Sequence, residues 1–166
     1  MEIVDKFNNK RQPLNKTSER YEKISGEYKL TMHVWIQNDK GEFLIQKRSS
    51  SKKTFPNFWS VTGGGVDSGE TTLDTVFREC KEELGIDADE NKLELMLSIK
   101  RNTDFLDVYL LKHNIELKDI IMQEEEVSDV KWATLSEIKN MIKNNEFAPN
   151  IPIYVDILEN LLDYKY

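Results

Sequence analysis

A chain of 166 residues has the length of one domain, enough to hide about 70% of its unfolded surface on folding. Its 30 acidic against 23 basic residues give a formal net charge of −7, which argues against broad electrostatic binding to nucleic acid or anionic membrane. One cysteine excludes an internal disulfide, no apolar run approaches the roughly 20 residues of a membrane helix, and no charged-then-apolar leader opens the chain, so a reducing cytoplasm is the expected compartment.

Residues 1–28 read as an N-terminal arm and linker, and 29–166 as the domain. The arm begins with the apolar pair Ile3 and Val4 and passes turn formers at Asn8, Asn9 and Pro13. It then becomes strongly polar through Glu27, the pattern of a small hairpin followed by a mobile linker. Leu30 to Ile36 and Phe43 to Arg48 are rich in aromatic and β-branched residues and flank the turn Asn38-Asp39-Lys40-Gly41, which predicts a β-hairpin. Lys47, Arg48, Lys52 and Lys53 then gather four cations in an acidic chain. Lys52 and Lys53 read equally well as solvated loop; Arg48, fixed by a strand end, is the better candidate to hold a diphosphate. Phe58 to Val61 predicts a short strand leading into a glycine loop at Thr62-Gly63-Gly64-Gly65, where missing side chains let backbone approach a ligand.

The stretch from Gly63 to Ile86 organises the rest. Thr71, three residues before Asp74, is an acidic variant of the capping box, and Gly85 suits a left-handed C-terminal cap, so the helix is expected between them. Leu73, Val76, Phe77, Cys80 and Leu84 form its apolar stripe. Glu79, Glu82 and Glu83 fall at i, i+3 and i+4, within about 100° of arc beside that stripe. Like charges at these spacings repel, and the C-terminal half of a helix disfavours anions. Arg78 is expected to partner one carboxylate at most, which leaves the group without a counter-charge. A hard divalent cation, Mg²⁺ with Mn²⁺ as a substitute, suits such an oxygen cluster.

Leu93 to Ile99, Phe105 to Leu111 and Val127 to Ala133 are further strand candidates; Leu135 to Asn144 and Ile153 to Leu162 are amphipathic helices, the last a core element and a possible dimer contact. Trp35, Phe58, Phe105 and Tyr109 are available to stack on a base, although each is more often a core residue, and His33 and His113 show no partner pattern. Mixed strands around one central helix, with helices at the end, fit an α/β layered domain.

The spacing is also a signature: Gly64, five residues, Glu70, seven residues, Arg78, Glu79, an apolar position, any residue, Glu82, Glu83, any residue, Gly85 and apolar Ile86. This is the Nudix box, and the chain resembles a Nudix hydrolase; Cys80 stands where the family usually has Ile, Leu or Val. The resemblance implies an α/β/α sandwich with a mixed β-sheet and hydrolysis of a diphosphate linkage in a nucleoside diphosphate derivative or nucleotide. Carried over by position, Glu79, Glu82 and Glu83 match metal-binding residues, with Glu79 or Glu82 also orienting or deprotonating the attacking water. The Gly63 carbonyl resembles a further metal ligand, and Arg78 and Glu70 resemble an orienting pair. In the family, a loop before the strand containing this Trp132 commonly supplies another metal-binding carboxylate; Glu126 is the favoured one of Glu124, Glu125 and Glu126.

The longer layout, with His33-Val34-Trp35, Phe43 to Arg48 and Phe55-Pro56-Asn57-Phe58-Trp59, resembles the branch related to isopentenyl diphosphate isomerase. That isomerase uses a Cys from the segment before the box, and the one thiol here is Cys80, so hydrolysis is favoured over isomerisation. A non-catalytic nucleotide-binding module is the third reading, and an intact box opposes it. Markers that the family carries for ADP-ribose and diadenosine polyphosphate substrates, a Pro and a Tyr past the box, are replaced by Arg101 and Thr103.

Overall fold

The computed structural model describes residues 2–23 and 25–164. A hairpin of β1 (Ile3–Phe7) and β2 (Pro13–Glu19) forms a two-stranded antiparallel sheet of its own. The main sheet contains β3 (Lys29–Gln37), β4 (Phe43–Arg48), β5 (Trp59–Ser60), β6 (Thr62–Gly65), β7 (Leu93–Lys100), β8 (Asp104–Lys112) and β9 (Val127–Ala133). It is mixed: β3 and β8 run parallel over Lys29–Gln37, and the other pairs are antiparallel.

The division of one edge of β3 makes room for a site. β8 covers the whole of the opposite edge, whereas the near edge is shared, with β4 pairing only at Ile36 and Gln37 and β6 taking Thr31 to Val34. Thr62–Gly65 is therefore a strand and not the glycine loop that its composition suggests. A Cβ on Gly64 would lie 2.4 Å from Glu79 Oε1, so the missing side chain admits a carboxylate of the neighbouring helix against the strand.

Helix α1 (Thr72–Leu84) covers one face of the sheet. Thr71 Oγ1 accepts from the Asp74 N–H while Asp74 accepts from the Thr71 N–H, and Gly85 ends the helix at φ +69° with its N–H on the Lys81 carbonyl. Val76, Cys80 and Leu84 pack on Met32, Val34, Ile36, Leu44, Tyr109 and Leu111. The opposite face carries Trp35, Ile45, Leu106, Val108 and Leu110, covered by Ile138 and Met141 of α2 (Leu135–Lys143) and Val155 and Leu158 of α3 (Val155–Asp163). The result is an α/β/α sandwich. Successive residues of β8 enter opposite cores, which explains its continuous apolar sequence. α3 starts at Val155 and not Ile153, because Tyr154, its N-cap, has a non-helical backbone at φ −134°; its side chain is 1% exposed. Among the described residues no helix is long and apolar enough to cross a membrane.

Candidate active site

A cleft of about 440 Å³ opens where β6 and the start of β3 meet the cleft side of α1. Glu79, Glu82 and Glu83 line it beside Gly63 and Gly64, with Arg48, Lys52 and Glu126 among the other lining residues. The helix does not present its three acids alike. Glu82 is exposed, but Glu79 and Glu83 are buried with the packed face at 9% and 5% exposure, although their spacing places them beside the apolar stripe. Leu73 and Phe77, expected in that stripe, are only half-buried.

Arg78 is the hub of the acid group, where one carboxylate partner was expected. Its Nε donates to Glu70 at 2.9 Å, its Nη1 donates to Glu79 Oε1 at 2.8 Å and lies 3.4 Å from Glu82, and its Nη2 reaches Glu70 at 3.0 Å and Asp67 at 3.5 Å. A planar fork with five N–H donors can serve several acids that separate elements bring to it. Glu70 also accepts from Thr75 Oγ1, and the Arg78 contact holds its carboxyl below the usual range. Burial pushes Glu79 up, with Arg78 opposing.

Glu83 lies beyond the fork. Its one hydrogen-bond donor among the described residues is neutral: Gln46 Nε2 donates to Oε2 at 2.7 Å, and Thr62 Oγ1 donates to Gln46 Oε1 at 2.8 Å, which fixes the amide orientation. Burial, reinforced by Glu79, pushes the Glu83 carboxyl up to about 8. Glu126 is brought in by a loop pinned to the end of α1, where the Gln123 N–H donates to the Glu83 carbonyl and the Ile121 N–H to the Leu84 carbonyl. Its carboxylate is ion-paired with Lys52. As they stand, no three His, Cys, Asp or Glu side chains among the described residues are gathered closely enough to hold an ion. Arg78 is ion-paired with Glu79 and Glu82, and Lys52 with Glu126.

Arg48 extends from the end of β4 into the cleft, with Nε donating to the Thr54 carbonyl at 2.9 Å and Nη2 to Thr54 Oγ1 at 3.1 Å. Among the described residues no carboxylate pairs with it. Arg101 also lines the cleft but is held by both oxygens of Asp104. His33, on the cleft floor, is buried at 7% exposure, which lowers its pKa to about 3 and keeps it neutral; its Nδ1 lies 2.8 Å from the Tyr154 hydroxyl, which also accepts from Trp35 Nε1.

Trp35, Phe105 and Tyr109 belong to the cores, and Phe58 borders a separate depression with Pro56 and Trp59. Cys80 is fully buried among apolar neighbours, and burial pushes its thiol up to about 12. Sequence reasoning missed Gln46, Arg20 and Tyr21. A polar residue inside the apolar run Phe43-Leu44-Ile45-Gln46 was a usable signal for the first; nothing local marks the other two.

The NUDIX domain family model matches residues 27–152. The chain belongs to the Nudix family. It is 37% identical over 151 residues to an uncharacterized Nudix hydrolase of Listeria innocua, covering 90% of this chain and 89% of that protein. The crystal structure of DR0079 from Deinococcus radiodurans superposes with a TM-score of 0.79 at 23% identity, over 96% of this chain and 99% of the other, and so shares the fold. The isomerase branch is met only in part: 59 residues, 35% of this chain and 33% of the other, are 37% identical to isopentenyl-diphosphate Delta-isomerase of Salmonella heidelberg. This chain is a Nudix hydrolase.

Proposed function

We propose that this Nudix hydrolase cleaves a diphosphate linkage in a nucleoside diphosphate derivative or nucleotide, and does so with Mg²⁺, for which Mn²⁺ substitutes. The observation that carries the reading is Glu83: a carboxyl group 5% exposed, facing the cleft, with one neutral donor and no ion-pair partner among the described residues. A buried carboxyl in that state favours its protonated form until a positive charge arrives to stabilise the ionised one.

The donor chemistry fits a hard divalent ion, since Glu79, Glu82 and Glu83 present only oxygen, with Glu126 and the Gly63 carbonyl as further candidates at the same cleft. Bound there, the ion would polarise the diphosphate oxygens and make water a better nucleophile. The chain's own residues do the rest. Arg78 holds Glu79 and is itself oriented by Glu70; Gln46 fixes one oxygen of Glu83. Glu79 or Glu82 orients or deprotonates the attacking water. Arg48, pre-set by Thr54 and free of a neutralising acid, meets the negative charge of the diphosphate.

Isomerisation of an isoprenoid diphosphate is disfavoured, because the one thiol faces the α1 core. A binding module without activity is disfavoured by the retention of every box carboxylate. The test is a panel of nucleoside di- and triphosphates, nucleotide sugars, dinucleotides and ADP-ribose with Mg²⁺, scored for phosphate-containing products. At least one compound is expected to be cleaved, and Glu82→Gln is expected to lower its turnover about 10²-fold or more with an unchanged circular dichroism spectrum. Equal turnover by Glu82→Gln contradicts the reading.

A further inference from the structure

A cleft that takes a nucleotide needs oxygens and cations for the diphosphate and a flat apolar face for the heterocycle. The first are present around α1. The second is absent from the places where the sequence pattern offered it, since Trp35, Phe105 and Tyr109 are at most 7% exposed and Phe58 lies off the cleft. Tyr21 lines the same cleft as Glu79, Glu82 and Glu83 and is 61% exposed.

An exposed tyrosine alone carries little, because single exposed aromatics are ordinary. Its mounting is what distinguishes this one. The N-terminal hairpin grips the loop that precedes α1: the Ser68 N–H donates to the Ile3 carbonyl at 2.8 Å, and Asp5 accepts from Ser68 Oγ at 2.7 Å and the Gly69 N–H at 2.9 Å. Arg20, next to Tyr21 in the chain, places Nη2 2.7 Å from Asp67 and 3.3 Å from the Gly65 carbonyl, and the Arg20 carbonyl accepts from Lys29 Nζ at 2.8 Å. At the far end, Arg11 makes a two-pronged ion pair with buried Asp107. The backbone that carries Tyr21 is thus fixed to the loop carrying Glu70 and to the sheet. Lys29 Nζ and Lys53 Nζ lie over the ring at 5.8 and 5.9 Å from its centroid, so cations that could meet a ligand's phosphates stand on the ring face.

We propose that Tyr21 is the base-stacking surface of this hydrolase, so that the hairpin preceding the family-matched region 27–152 supplies the wall on which the nucleobase of its substrate packs. Lys29 is fixed by its bond to Arg20, whereas Lys53 is an exposed loop residue, so stacking on Tyr21 requires the base to displace the Lys53 side chain from the ring. The inference rests on the nucleotide-hydrolase reading above and makes Tyr21 a specificity-determining residue.

The experiment compares full-length wild type, Tyr21→Ala and Tyr21→Phe with saturating Mg²⁺ on the best nucleotide of the panel, alongside Mn²⁺ titrations and thermal unfolding. Tyr21→Ala is expected to raise KM about tenfold or more with kcat within about twofold, while Tyr21→Phe, which keeps the ring, stays within about twofold of wild type in both. Mn²⁺ affinity and Tm are expected to be unchanged in both variants, as suits an exposed side chain. An unchanged KM in Tyr21→Ala, an equal defect in Tyr21→Phe, or loss of Mn²⁺ binding in Tyr21→Ala each overturns the proposal while leaving nucleotide hydrolysis standing. A wild type that cleaves no nucleotide overturns both.

Discussion

Two carboxylates in this molecule are almost equally hidden and yet are in opposite states. Asp107, 2% exposed on β8, accepts from both Nη atoms of Arg11, from Thr72 Oγ1 at 2.7 Å and from Ser98 Oγ at 2.6 Å. Burial opposes its charge, but those donors outweigh it and hold the carboxyl below its usual range. Glu83, 5% exposed on α1, has one amide donor among the described residues, and burial pushes it up to about 8. Burial alone therefore does not mark a site. The acid whose donors are supplied by the protein fastens a hairpin to the sheet; the acid left short of donors faces a cleft, and is the one the proposed function assigns to a ligand.

Three substitutions probe this contrast. The largest effect is expected from Glu83→Gln, which removes charge where the protein supplies none in return: turnover falls about 10³-fold while the metal-free fold persists, as a steady-state assay with circular dichroism will show. Asp107→Asn is expected to do the reverse. It leaves the Arg11 guanidinium without its acid and costs about 3 kcal/mol in denaturant unfolding, while Mn²⁺ affinity stays within about twofold. Gln46→Met is smaller and sharper, because it removes the one donor that orients Glu83: Mn²⁺ binding followed by electron paramagnetic resonance is expected to weaken about tenfold. Loss of metal binding in Asp107→Asn together with its retention in Gln46→Met would make Asp107 the metal ligand and Glu83 the structural acid.

The parts of the site that the sequence reveals are those fixed by neighbours along the chain. Thr71, Asp74 and Gly85 set the ends of α1 by local hydrogen bonds, and Glu79, Glu82 and Glu83 share a helix arc by spacing alone. The longer strands of the main sheet, β3, β4, β7, β8 and β9, were legible from their residue patterning for the same reason. What was misread depends on distance along the chain. Within the helix Arg78 was assigned one carboxylate, and its pairing with Glu70 was expected only from the family resemblance; Asp67 was missed, because it comes to Arg78 from a loop whose path no helical spacing reveals. The three glycines suggested a loop because their pairing with Thr31, Met32 and His33 is a tertiary fact. Gln46 reaches Glu83 across 37 residues of sequence, and Tyr21 reaches the cleft only because Asp5 and Arg20 fasten its hairpin to the loop before α1.

The raised Glu83 carboxyl also has a consequence for stability. A carboxyl that holds its proton more tightly folded than unfolded favours folding fully below about pH 4.5, and that contribution is lost as the pH rises through about 8. Glu79 is shifted in the same direction. Metal-free wild type is therefore expected to lose Tm relative to Glu83→Gln across that window, and a divalent ion at the acids is expected to restore it.

Whether Glu83 is held in readiness for a cation is decided by thermal unfolding of wild type and Glu83→Gln at about pH 8, with and without millimolar Mg²⁺. Mg²⁺ is expected to raise the Tm of wild type clearly and that of Glu83→Gln little or not at all. Equal Mg²⁺ shifts in the two proteins, or no shift in wild type, would mean that the buried acid does not hold the ion.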